Sequence, residues 1–216
     1  VAAESAVAEI LEKFPSADVL SMAADLSDEV QAGRAVEAAI THFGKLDILI
    51  NAAGIRVYGA LADAEPDSWE SILSVNLMAT IHCCKAALPM LRRGGGSIVN
   101  VSSVFGLAGR GGMGQYDVTK AAVVSLSRTM AIEEVSHGIR VNAVCPVYVR
   151  TEGLDDALRG SQSPAVGQEI ESYMKAFAAT NAALGRMPKG VEVASTCYFL
   201  ASEHAAAITG QCINVD

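Results

Sequence analysis

Tyr116 and Lys120, in the stretch "GQYDVTKAA", stand four residues apart, which on a helix places both side chains on one face, within reach of a common ligand. Upstream, "GSIVNVSS" reads as a buried apolar strand that ends at Ser102 and Ser103. The C-terminal end of a parallel strand is the edge where α/β sheets bind ligands. Between these groups lie Gly109, Gly111 and Gly114, a G-x-G-x-x-G match. That spacing binds a dinucleotide pyrophosphate when it joins a first strand to a helix and an acid follows about 20 residues on, at the end of the next strand. Here the acids at that distance, Glu133 and Glu134, fall in a predicted helix before the strand that begins at Ile139. The glycines therefore predict a sharp backbone turn that leaves space beside Tyr116, not a phosphate cradle.

The elements that must position these groups alternate along the chain. "ADVLSMAAD" at 17–25 reads as a short strand, and the helix after it takes Ser27 as its N-cap, with Val36, Ile40 and Phe43 on one face. "KLDILINAAG" is a nearly unbroken aliphatic strand, and Pro66 and Asp67 open a long helix to about residue 91. A helix from about Tyr116 to Ser136 follows the glycine loop, then the strand "GIRVNAVCP", a polar segment at 152–187, a helix from 190 to about 202 and the short strand "TGQCINVD". Strands apolar on both faces, alternating with helices, predict an α/β doubly wound parallel sheet.

Composition narrows the function. The 216 residues, 51% hydrophobic, suit one large core and one domain over 1–216. A net charge of −8 leaves no electrostatic footprint for nucleic acid. His42, His82, His137 and His204 lack metal-ligand spacing, so no metal is expected. Cys83, Cys84, Cys145, Cys197 and Cys212 include no C-x-x-C pair and read as buried free thiols of a reducing cytosol; Cys145 has no neighbouring base to make it a nucleophile. No apolar run is read as a bilayer span, and the acidic N-terminus is unlike a signal peptide, so a soluble, cytoplasmic protein is expected.

The segment "SIVNVSSVFGLAGRGGMGQYDVTKAA" resembles the active-site region of the short-chain dehydrogenase/reductase family, with Ser103 thirteen residues before Tyr116. "NAAG" at 51–54, "SVNLMAT" around Asn76, "GIRVNAVCP" at 138–146, Thr151 and "FLASEHAAAITGQCINVD" at 199–216 match the family's order, so the likeness spans essentially the whole chain. It implies a Rossmann-like fold and hydride transfer between NAD or NADP and a secondary alcohol or ketone. Tyr116 would be the general acid/base. A phenol ordinarily titrates near 10, too high for efficient proton exchange at neutrality, and Lys120 would supply the charge that stabilises the phenolate and would bond the nicotinamide ribose. Ser103 would hold the substrate oxygen, and Asn76 would support a water that relays the proton through Lys120. Asp25 and Leu26 would contact adenine; Asn51, Ala52, Gly54, Pro146, Val149 and Thr151 would complete the cofactor cleft. Each of the four central residues also has a bland reading: a packing aromatic, a solvated lysine, a crevice-facing asparagine and a strand-end cap.

The family likeness carries further expectations. Residues 152–187 take the place of its mobile substrate lid, with Leu154, Leu158, Met174 and Phe177 forming a partly apolar pocket or packing on the domain. The usual assembly is a tetramer built on the helices at 67–91 and 116–136 and the last helix and strand, so a homo-oligomer acting on a small molecule is expected. Two departures stand out. Val147 occupies a position usually held by glycine, where a β-branched residue resists positive φ and adds bulk near the nicotinamide. In the family, two strands with a glycine-rich turn and a helix come before anything resembling residue 1, so an N-terminally incomplete domain is expected, with a gap of about 14 Å between the 17–25 strand and "LDILI". The alternative is a catalytically silent relative that serves as an oligomerisation or binding module.

Overall fold

A computed structural model describes residues 2–216. Helix α1 (Ala2–Lys13) leads to an irregular segment and α2 (Glu29–Phe43). The α2 cap is Asp28, whose carboxylate accepts from the Gln31 amide at 2.9 Å, and not Ser27. Ser27 instead donates its hydroxyl to Asp25 at 2.6 Å, which moves the cap one residue on. Ala32 and Val36 face the core, whereas Phe43 is exposed.

Four parallel strands follow in spatial order: β1 (Ile48–Asn51), β2 (Gly96–Val101), β3 (Ile139–Pro146) and β4 (Cys212–Val215). The expected strand at 17–25 is not formed. A strand exists only through ladder pairing, and none of the four strands runs beside that segment, so it stays irregular. Between β1 and β2, helix α3 (Pro66–Leu73) passes through a π-helical stretch at Ser74–Met78 into α4 (Ala79–Gly94). This continuous helix has the length and composition of a bilayer span, contrary to the sequence reading. Its Ile72, Cys84, Ala87 and Leu91 are nevertheless buried inside the domain.

Helices cover both faces of the sheet because the strands are apolar on both. Ile98 and Val141 pack against α4 and α5 (Gly114–Glu133), while Val99 and Val144 pack against α8 (Gly190–Ala201) on the opposite side. A buried polar chain pins the first face: the Asn51 amide donates to Asn100 at 2.8 Å, and the Asn100 amide donates to Ser127 on α5 at 2.9 Å. Between β3 and α8, residues 152–187 carry α6 (Glu152–Arg159) and α7 (Ile170–Asn181). Leu154, Leu158, Met174 and Phe177 of these helices join Tyr58, Phe105, Tyr116 and Tyr148 in one cluster above the C-terminal sheet edge. Arg150, just beyond β3, ties this cover down through ion pairs with Asp155 of α6 and Glu171 of α7.

Candidate active site

The turn after β2 delivers the first group. Ser103 is buried, and its hydroxyl accepts from the Phe105 amide at 3.2 Å, capping a short helical turn. The same hydroxyl donates to the Pro146 carbonyl at 3.4 Å and lies near the Tyr116 phenol. Ser102, next door, donates to the carbonyl of Lys120 at 2.7 Å and so anchors α5 to the strand end. The two adjacent hydroxyls thus differ in task, and Ser103 is the one at the phenol.

On α5 the spacing of four does what a helix dictates. Tyr116 and Lys120 share a face, with the ammonium 5.7 Å from the tyrosine ring centroid and donating to the Val101 carbonyl at 3.0 Å. Both are almost wholly buried, unlike a solvated surface pair. The close fit of α5 depends on Gly106: a Cβ there would lie 2.7 Å from the Lys120 carbonyl carbon and 2.8 Å from its oxygen. Backbone cannot yield as a flexible side chain does. Gly106→Ala is therefore expected to shift α5 at Lys120 and to cost about 1–3 kcal/mol of stability, as overpacking does. Chemical denaturation of the variant checks this.

Asn76 is placed by the π-helical stretch, an irregularity common at functional sites. Its side-chain oxygen accepts from the Ile55 amide at 2.7 Å, and its amide donates to the Ile55 carbonyl at 3.0 Å and to Thr119 at 3.1 Å. It therefore brackets the turn after β1 to α5. Gly54 sits in this bracket, where a Cβ would be 3.2 Å from the Asn76 oxygen and 3.4 Å from the Lys120 ammonium.

Two arginines that the sequence reading passed over complete the surroundings. Arg56 stacks on the rings of Tyr148, at 4.7 Å, and Tyr116, at 5.1 Å. Arg110 packs on Phe105 at 3.6 Å, donates to the Tyr148 hydroxyl at 3.2 Å and pairs with the buried Asp117 at 2.7 Å. The sequence carries no signal that would set Arg56 among the site residues.

These charges act on the titrating groups of the site. Burial raises the Tyr116 phenol above its ordinary value; the charges of Arg56 and Arg110 and the nearby Ser103 hydroxyl oppose the rise without reversing it. In the protein alone, desolvation outweighs the nearby cations. Lys120 itself is lowered to about 8, first by burial and then by the like charge of Arg56.

A cleft of about 540 Å³ opens onto this group, lined by Ala52, Gly54, Tyr116, Lys120, Pro146, Val149 and Thr151 among others. The expected nicotinamide-side residues are therefore together. Val147 also lines it, in a backbone conformation without positive φ, its amide donating to the Val215 carbonyl at 3.1 Å. The Thr151 hydroxyl caps α6 by accepting from the Leu154 amide at 3.1 Å. A second cleft of about 330 Å³ is lined by Leu26, Asn51 and Ala52. Asn51 borders it, although its amide is engaged with Asn100. Asp25 lines neither cleft; its carboxylate accepts from the Ser27 amide and hydroxyl, which hold it below the usual carboxylate range. The small residues Ala52 and Gly54 and the cation of Lys120 suit a flat ring with its ribose in the larger cleft. Glu134, one of the two acids placed after the glycine match, is held by Arg92 through bonds of 2.6 and 2.8 Å at the end of α5. The loop turns at Gly112, the residue with positive φ in that run.

A family model described as enoyl-(acyl carrier protein) reductase matches residues 1–216. The meso-2,3-butanediol dehydrogenase of Serratia marcescens is 34% identical over 214 residues, 99% of this chain and 80% of that protein. A Xanthobacter autotrophicus protein named inactive 2-(S)-hydroxypropyl-CoM dehydrogenase 2 is 37% identical over 215 residues, 99% of this chain and 88% of that one. Among solved structures, ElxO with NADP bound superposes with a TM-score of 0.81 at 28% identity, covering 98% of this chain and 83% of that chain.

Proposed function

Because the chain belongs to the short-chain dehydrogenase/reductase family, we propose that it interconverts a ketone and a secondary alcohol with NAD or NADP, Tyr116 acting as general acid/base. The observation that carries this reading is the Tyr116 phenol, buried beside Ser103 and Lys120 at the mouth of a cleft on the C-terminal sheet edge. The nicotinamide supplies or accepts the hydride when bound. Ala52, Gly54, Pro146, Val149 and Thr151 would hold its ring end, with Lys120 reaching the ribose. Ser103 orients the substrate oxygen toward the phenol. Asn76 holds the turn after β1 against α5, and so keeps Gly54 and Lys120 in register.

Tyr116 keeps its proton, so it is poised to donate to a carbonyl oxygen, which is the proton step of reduction. Lys120 holds its charge below about 8 and loses it as pH rises through that value. Ketone reduction is therefore expected to be steady through neutrality and to fall above about pH 8, in step with the loss of the ammonium. The test is oxidation of NADH and NADPH, followed by absorbance, with a panel of ketones over a pH series. A chain that neither turns over nor binds a nicotinamide would fit the silent module instead.

Within this reading, α6 and α7 serve as the substrate lid of the domain, with Leu154 and Ala157 facing the cleft. The exposed Val118 and Ile132 of α5 and Val191, Tyr198 and Phe199 of α8 favour a homotetramer. The five free thiols, four of them buried, fit a cytoplasmic setting.

A further inference from the structure

The charge inside the larger cleft opposes the charge of the chain. The protein carries a net −8, yet the residues lining the cleft include two cations, Arg56 and Lys120, and no aspartate or glutamate. Lys120 has a protein partner in the Val101 carbonyl. Arg56 has none: it is half-buried, its contacts are the faces of Tyr116 and Tyr148, and no carboxylate among the described residues pairs with it. Arg110 marks the contrast, because it meets the same two tyrosines with its charge balanced by Asp117.

A guanidinium withdrawn from water without a counter-ion is costly, and ring faces offset only part of that cost. A second cation facing the same cleft adds repulsion, which a bound anion would relieve. The guanidinium is also a planar fork suited to a carboxylate. Its carbon lies 5.1 Å from the centre of the Tyr116 ring, so an anion seated on it is a few bonds from an oxygen at the Tyr116 hydroxyl.

We propose that Arg56 is a specificity residue that receives a carboxylate carried a few bonds from the reacting carbonyl, so that the substrates are short oxo acids or the matching hydroxy acids. This rests on the oxidoreductase reading above. Tyr148, stacked on Phe177 of α7 at 4.2 Å, backs the guanidinium of this cleft-lining residue.

The test compares matched probes, acetoacetate and levulinate against their methyl esters, in the wild-type protein and in Arg56→Met and Arg56→Lys. The wild type is expected to prefer each acid to its ester in kcat/KM. Arg56→Met should lower the acid-to-ester ratio about 100-fold, and Arg56→Lys, which keeps the charge and loses the fork, should lower it less. An ester preference in the wild type, or an equal loss on acid and ester in Arg56→Met, would overturn the proposal. Calorimetric titration with the same probes measures anion binding separately from turnover. Acid binding that is lost in Arg56→Met supports the anion site even if no ketone is reduced, a result that would count against the oxidoreductase reading alone. Absence of acid binding by the wild type, with esters turned over, would count against Arg56 alone.

Discussion

Tyr116→Phe is expected to lower ketone reduction by about 10²–10⁴-fold, the usual contribution of a positioned acid/base group. The reason is local. Phenylalanine keeps the ring that packs among Phe105, Tyr148 and Leu154 and removes the hydroxyl that lies near Ser103 beside the cleft. The fold should therefore survive with little change in stability. Steady-state kinetics and a urea titration on the same preparation separate the two effects. Activity within a few-fold of the wild type would remove Tyr116 from the chemistry.

Arg110→Met should be the most destabilising change near the site, by about 3–5 kcal/mol, because it strands a buried carboxylate. Asp117 is 8% exposed; it accepts from Arg110 side-chain nitrogens at 2.7 and 3.4 Å and from the Arg110 amide at 3.1 Å. The substitution leaves the amide alone to satisfy the carboxylate. The methionine also gives up the guanidinium's stacking on Phe105 and its bond to the Tyr148 hydroxyl. Combining it with Asp117→Leu should restore much of the loss, since a buried pair replaced by apolar groups of similar size is often neutral. Urea midpoints of the single and double variants decide: a double variant as unstable as Arg110→Met would show that packing, not the stranded charge, sets the cost.

The legible parts of this molecule were those that depend on period and spacing. Strands such as "SIVNV" and "IRVNAV" are apolar at every position because helices cover both sides, and that pattern needs no knowledge of partners. The shared face of Tyr116 and Lys120 follows from one helical turn, and the place of Ser103 beside them from the family resemblance. What could not be read depends on neighbours distant in sequence. The stretch at 17–25 has a strand's composition, but pairing is a property of two segments. Ser27 and Asp28 are both good caps, and Asp25 decides between them by taking the Ser27 hydroxyl. The continuous helix at 66–94 resembles a bilayer span until its buried face is seen against the sheet. Arg56 was invisible as a site residue because nothing in the sequence shows that it folds over Tyr116 and Tyr148 without a counter-ion.

The central claim is that this cleft transfers hydride between a nicotinamide and a carbonyl carbon. Its most direct test is the mass of the alcohol formed from a ketone in the presence of reduced nicotinamide deuterated at the transferred position. An alcohol carrying one deuterium at its carbinol carbon is the expected product. Oxidation of the nicotinamide without deuterium in the alcohol, or no alcohol from any ketone while the nicotinamide binds, would contradict the account.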